Sequence, residues 1–262
     1  MLIGTKKFTE GTHVMAIINI TPDSFFPDSR LHDLDQILRT VEKFINGGAE
    51  IIDIGGQSTR PCFEIVPWEE ELERILKPVI EIKKRFDIPI SIDTFYSQVA
   101  EEVLKEGVGM INDVFGLEFD PNMVHVIAKY DAAVCLVHNS RNKKDCQNTL
   151  EEIIEFLQVG VKKCLEDGVD ENKICLDGGI GFGKTSEQNW NLLNNYEKLH
   201  ILKLPLLLGT SRKSFLGGMA EDRLQITLET TKLAMKKKIM FIRVHDVAEN
   251  FNTIKNFESE LC

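Results

Sequence analysis

The sequence predicts an α/β fold, a single (β/α)8 TIM barrel, on three observations. Short apolar runs alternate with longer amphipathic ones along the chain, and the pair recurs eight times. The 262 residues match the roughly 250 that eight β/α units need. No Pro/Gly/Ser-rich linker or low-complexity stretch divides the chain. An open doubly wound sheet uses the same units, and eight of them favour closure. The expected domain is residues 1–262, with 1–13 as an extension ahead of the first strand.

The strands are expected at residues 14–20, 50–54, 89–92, 110–113, 132–137, 174–177, 205–208 and 240–244. All are apolar on both faces, as strands covered on both sides must be. A helix follows each, at 34–46, 67–86, 97–106, 121–129, 149–166, 185–194, 223–237 and 247–258. Asp120 and Ser186 stand near helix starts, where an N-cap oxygen is needed. Gly47-Gly48 and Gly107 follow helix ends, where a left-handed residue closes the last turn. Strict β-then-α order implies parallel strands with the helices outside.

Composition limits the partners. A net charge of −10 argues against non-specific nucleic-acid binding, which needs a basic surface. It still allows a local basic pocket for an anionic ligand. The six cysteines are Cys62, Cys135, Cys146, Cys164, Cys175 and Cys262. None form a C-x-x-C pair and no His stands at zinc-ligand spacing. Cys135 and Cys175 fall in apolar runs and read as core thiols. Unpaired thiols suit a reducing cytosol. The opening MLIGTKKFTEGTH lacks the apolar stretch of a signal peptide, and no run approaches the roughly 18 apolar residues of a membrane span. A cytoplasmic location is expected.

The chemistry is expected at the strand ends. In order they deliver Asn19, then Asp53 with Gly55-Gly56, Asp93, Asn112-Asp113, His138, Asp177, Thr210-Ser211-Arg212-Lys213, and Arg243 with His245. One polar strand end is an ordinary solvated loop start. Eight of eight point to a site, because barrel active sites lie at the C-terminal face. Asp93, Asp113 and Asp177 suit N–H donors of a ligand. Lys213, Arg243 and His245 suit an anion.

Four loop regions add to this. GTSRKSFLGG (209–218) follows the seventh strand, where a helix N-terminus beside Lys213 would make an anion site. GGIGFGKT (178–185) matches the phosphate-cradling G-x-x-x-x-G-K-[ST] letter for letter. A nucleotide-hydrolysing reading needs an open sheet and a magnesium-binding Asp. The plainer reading is a glycine-rich turn whose backbone passes close to a flat ligand. TPDSFFPDS (21–29) and STRPCFEIVP (58–67) are long polar-aromatic loops suited to closing over the site. The adjacent Phe25 and Phe26 suit contact with something flat.

With these stretches in view, the chain resembles the dihydropteroate synthases of folate biosynthesis over nearly its whole length. The likeness rests on NITPDSF (19–25), IDIGGQSTRP (52–61), SIDT (91–94), INDV (111–114), GIGFGK (179–184), GTSRKSF (209–215) and RVHD (243–246). The resemblance implies condensation of hydroxymethyl-dihydropterin pyrophosphate with para-aminobenzoate, by dissociative loss of diphosphate. It implies that Asp93, Asn112, Asp177 and Lys213 hold the pterin, with Asp93, Asp177 and Lys213 central to catalysis. It assigns the diphosphate to Asn19, Arg243 and His245, with Mg²⁺ at Asn19. It assigns the aminobenzoate to Phe25, Thr59, Pro61, Phe182 and Ser214. It also implies a homodimer through helices near the C-terminal units. Some positions depart from the family pattern. Gly178 stands where Pro is usual, which by itself creates the nucleotide-loop match. Phe26-Pro27-Asp28-Ser29 replaces glycines, Cys62 replaces Gly, His138-Asn139 replaces His-Met, and Lys237-Lys238 replaces Gly-Ala. A pterin-binding paralogue and a methyltetrahydrofolate–corrinoid methyltransferase, which shares this barrel, stay open as alternatives.

Overall fold

Parallel strands in sequence order need a crossover helix between each pair, and the chain supplies one every time. In the computed structural model, described for residues 1–21, 30–57, 64–141, 146–218 and 223–260, a short antiparallel hairpin comes first, β1 (Leu2–Ile3) and β2 (Lys6–Lys7). Eight parallel strands follow: β3 (His13–Asn19), β4 (Ile51–Gly55), β5 (Ile90–Asp93), β6 (Met110–Asp113), β7 (Ala133–Val137), β8 (Ile174–Asp177), β9 (Leu206–Leu208) and β10 (Phe241–Val244). β10 pairs with both β9 and β3, so the sheet closes into the expected barrel.

The helices are α1 (Arg30–Asn46), α2 (Trp68–Arg85), α3 (Ser97–Lys105), α4 (Met123–Lys129), α5 (Leu150–Glu166), α6 (Ser186–Asn194), α7 (Arg223–Lys236) and α8 (Val247–Glu260). Caps correct two sequence readings. Ser186 is already inside α6, and Thr185 is its cap, in a capping box with Gln188. Asp120 lies ahead of α4 but also serves another helix: its Oδ2 accepts the Ser97 amide at the start of α3, 2.9 Å away. Gly48 and Gly107 do take left-handed φ, +97° and +82°. No described helix is long and apolar enough to cross a membrane.

Side-chain alternation divides the core in two. Ile52, Ile54, Ile90, Ile92, Ile111, Val134, Leu136, Leu176 and Leu208 pack outward under the helices. Met15, Ile51, Met110, Ala133, Cys135, Cys175, Leu207 and Phe241 pack together inside the barrel with Ile3 and Phe8. The sequence left residues 1–13 as an extension. The structure makes them the barrel's floor, because an open barrel bottom would wet the apolar interior. Phe8 is 2% exposed and meets Phe241 edge-on at 5.3 Å. Cys135 and Cys175 are register partners on β7 and β8 and are free and buried, as read from the sequence. Cys62 and Cys262 lie outside the described residues.

Truncating a buried phenylalanine costs about 3–5 kcal/mol. Phe8→Ala should therefore lower the thermal midpoint by roughly 6 °C or more. An unchanged midpoint would mean the hairpin does not support the barrel.

Candidate active site

Above the apolar layer the inward positions turn polar, and the charges there are paired. Arg243, near the end of β10, donates from Nε to Asp53 Oδ2 at 2.6 Å and from Nη2 to Asp93 Oδ2 at 2.7 Å. Asp53 and Asp93 come from β4 and β5, the second and third strands round the barrel from β10. One guanidinium cannot neutralise two buried carboxylates. Burial, with the Asp53 and Asp113 charges, pushes the Asp93 carboxyl up to about 7 against the pull of Arg243. The guanidinium is in turn held still more firmly protonated, the two carboxylates outweighing the cost of burial. Arg243 was expected to face an anion. Two of its three nitrogens are instead committed inside the barrel.

Asp93, Asn112 and Asp177 stand at the ends of β5, β6 and β8, all buried. Among the described residues, Asp93 Oδ1 and Asn112 Oδ1 have no hydrogen-bond partner, which is costly unless a ligand serves them. Asp113 was also expected to face a ligand. Its carboxylate is used locally, accepting the amides of Phe115 at 2.8 Å and Leu117 at 2.9 Å.

Asp177 Oδ1 accepts the Gly179 amide at 2.7 Å and lies 3.0 Å from the Tyr196 hydroxyl. Burial pushes Asp177 up, with Lys213 opposing. Lys213 follows β9 and donates from Nζ to the Ile180 carbonyl. Burial lowers its ammonium to about 8, while Asp177 resists. The Lys213 Nζ and the Arg141 guanidinium carbon each lie 4.7 Å from the Phe182 ring centroid, within cation–π range.

The turn carrying Phe182 demands glycine. A Cβ at Gly179, where φ is +73°, would lie 1.7 Å from the His138 carbonyl oxygen. One at Gly181, where φ is +82°, would lie 3.0 Å from Lys213 Cδ. The helix expected after Lys213 is a single 3-10 turn, Ser214–Leu216, too short to sum a macrodipole. Ser214 lies exposed at its start. His245 anchors through its amide and Nδ1 to Ser211 Oγ, both 3.1 Å. Asn19 ends β3 at the rim. A Cβ at Gly55 would touch Asn19 Oδ1 and Asp93 Cβ at 3.5 Å, so glycine keeps the gap between them open.

The structure thus brings Asp93, Asn112, Asp177, Lys213, Phe182, Arg243, His245 and Asn19 to one face. Phe25, Thr59 and Pro61 lie outside the described residues, as does Phe26. Sequence reading missed Arg141, Tyr196 and Glu71. Nothing in the local sequence marks any of the three: Tyr196 itself stands between Asn194-Asn195 and Glu197-Lys198.

Residues 15–245 match the pterin binding enzyme family. The chain belongs to that family. It is 44% identical over 262 residues to the dihydropteroate synthase of Clostridium beijerinckii, covering 97% of each chain. Its fold superposes with a TM-score of 0.92 on the dihydropteroate synthase of Clostridium difficile crystallised with pteroic acid, at 42% identity over 97% of this chain and 98% of that one. A Yersinia pestis dihydropteroate synthase in a sulfonamide drug complex gives 0.88, at 34% identity over 95% and 94%. The glycine turn of this chain does not take the form of a nucleotide loop: its Lys184 points back into the protein, onto the Gly179 carbonyl.

Beneath the root of the second loop, Glu71 is fully buried and accepts from Gln57 Nε2. Burial pushes its carboxyl from 4.5 up to about 7. The folded form holds the proton more tightly than the unfolded chain, so stability falls as pH rises across that window. Glu71→Gln should add roughly 2–3 kcal/mol at about pH 8 and much less at about pH 5. Urea titrations at both pH values check this, and an equal effect at both would remove Glu71 as the titrating group.

Proposed function

We infer that this chain is a dihydropteroate synthase, a transferase of folate synthesis. It joins hydroxymethyl-dihydropterin pyrophosphate to para-aminobenzoate and releases diphosphate. The observation that carries this reading is the convergence of Asp93, Asn112, Asp177 and Lys213, with Asp93 Oδ1 and Asn112 Oδ1 lacking partners among the described residues, in a chain of the pterin binding family.

An aminopyrimidinone edge offers paired N–H donors to a carboxylate and a carbonyl to a cation. Asp177 and Asp93 supply acceptors, Asn112 supplies an amide, and Lys213 supplies the cation. Asp93 is poised near neutrality, so it can accept or share a proton. His245 and the Arg243 nitrogen left by the two aspartates would meet the diphosphate. Phe182 and Ser214, with Phe25, Thr59 and Pro61 from the first two loops, would form the aminobenzoate side.

Departure of diphosphate leaves positive charge on the pterin methylene, and the aromatic amine attacks it. That amine is neutral at pH 7, so no strong general base is required, and the proton it sheds after forming the C–N bond passes to water or to the departing diphosphate. Catalysis is then positioning and stabilisation of the leaving group's charge.

Among the described residues no group of three His, Cys, Asp or Glu is placed to hold a metal. Asn19, beside Gly55 at the rim, suits a single ligand to a Mg²⁺ brought in on the diphosphate, since that ion keeps most of its waters. When bound it would neutralise charge on the leaving group. The reading extends to a homodimer and a cytoplasmic location. The methyltransferase and non-catalytic alternatives lose ground, because the relatives quoted above are synthases.

Purified protein given both substrates should form dihydropteroate and release diphosphate only with aminobenzoate present. Absence of product at saturation would overturn the assignment. Lys213→Ala removes a charged hydrogen bond and should lower kcat/KM about 100-fold. Unchanged efficiency would remove Lys213 from the site.

A further inference from the structure

The glycine turn after β8 carries a lysine that the proposed reaction does not use. Lys184 Nζ lies 2.8 Å from His138 Nδ1, 2.9 Å from the Gly179 carbonyl and 3.4 Å from the Phe182 carbonyl. His138 belongs to the end of β7, so these contacts tie the turn to the neighbouring strand. The turn in turn sets three site groups. Gly179 donates to Asp177, Ile180 accepts from Lys213, and Phe182 offers its ring to the Lys213 and Arg141 cations.

We propose that Lys184, clasped with His138, is a positioning residue that fixes the turn and through it the Asp177–Lys213–Phe182 cradle. The inference rests on reading Asp177 and Lys213 as part of the pterin pocket, with Phe182 at its aminobenzoate edge. Nothing about it resembles phosphate binding, because the amine is turned away from the mouth onto backbone carbonyls.

The three contacts of Lys184 Nζ can be kept in either protonation state. As an ammonium, Lys184 donates three N–H bonds, and His138 carries its proton on Nε2. As an amine, Lys184 donates two to the carbonyls and accepts the His138 Nδ1–H. Burial brings the lysine down to about 7, so both arrangements are populated near neutral pH. A proton can be lost without opening the turn.

The test pairs Lys184→Met, which keeps the stem and removes the amine, with Lys184→Gln, whose amide can again donate to carbonyls. In the free protein, amide exchange at Gly179 should quicken at least 10-fold in the Met variant. With ligand, the Kd for 6-hydroxymethylpterin and the pterin KM should rise about 10-fold. The aminobenzoate KM should move less, and the Gln variant should recover part of the loss. Gly179 exchange and pterin affinity within twofold of wild type in the Met variant would overturn the role. So would a loss that the Gln variant does not relieve. If neither variant folds, His138→Gln carries the same comparison. The exchange measurement needs no ligand, so a wild-type protein that fails to bind pterin would sink the functional reading while leaving the clasp independently tested.

Discussion

The Arg243 bridge to Asp53 and Asp93 is the constraint on which the upper half of this barrel depends. Three charges at the strand ends of a closed barrel cannot all be hydrated, and removing any one would strand the others in a medium of low dielectric. The bridge joins β10 to β4 and β5, strands that are not ladder neighbours of β10. It also leaves one carboxylate in excess, which adds to burial in pushing the Asp93 carboxyl up to about 7. Structure and chemistry draw on the same ion cluster.

Everything below the bridge follows from keeping water out. The interior is apolar at its lower levels and sealed by the Ile3 and Phe8 side chains of the hairpin. Everything above it exposes a rim of groups whose hydrogen bonds are only partly made within the protein. The division runs across single strands. β4 passes from Ile51 through Asp53 to Gly55 in five residues, with all three on the inner face.

The glycine turn shows how a motif's letters and its mechanism separate. Residues 178–185 spell a nucleotide loop, yet the feature that would make one is missing. In such a loop the lysine reaches toward phosphate, and here it is folded back onto Gly179 and His138. The glycines are needed for a different reason: the turn passes within contact of the β7 end, and a side chain at Gly179 would occupy the space of a carbonyl.

The eight β/α units, the polar end of the barrel and most of the polar residues there are legible in the sequence. These are local properties: apolar periodicity names the element, and the last polar residue of each strand names the mouth. Boundaries moved by a few residues where caps decide them, as at Thr185. Only the tertiary structure decided what each group does with its neighbours. Asp113 and Asp93 are equivalent at the level of sequence, each an Asp at a strand end. The amides of Phe115 and Leu117 absorb the first, while a guanidinium 150 residues away holds the second. Tyr196, Glu71 and the hairpin floor were illegible for the same reason. Their roles come from burial against partners distant in the chain, and no local pattern encodes the far end of a contact.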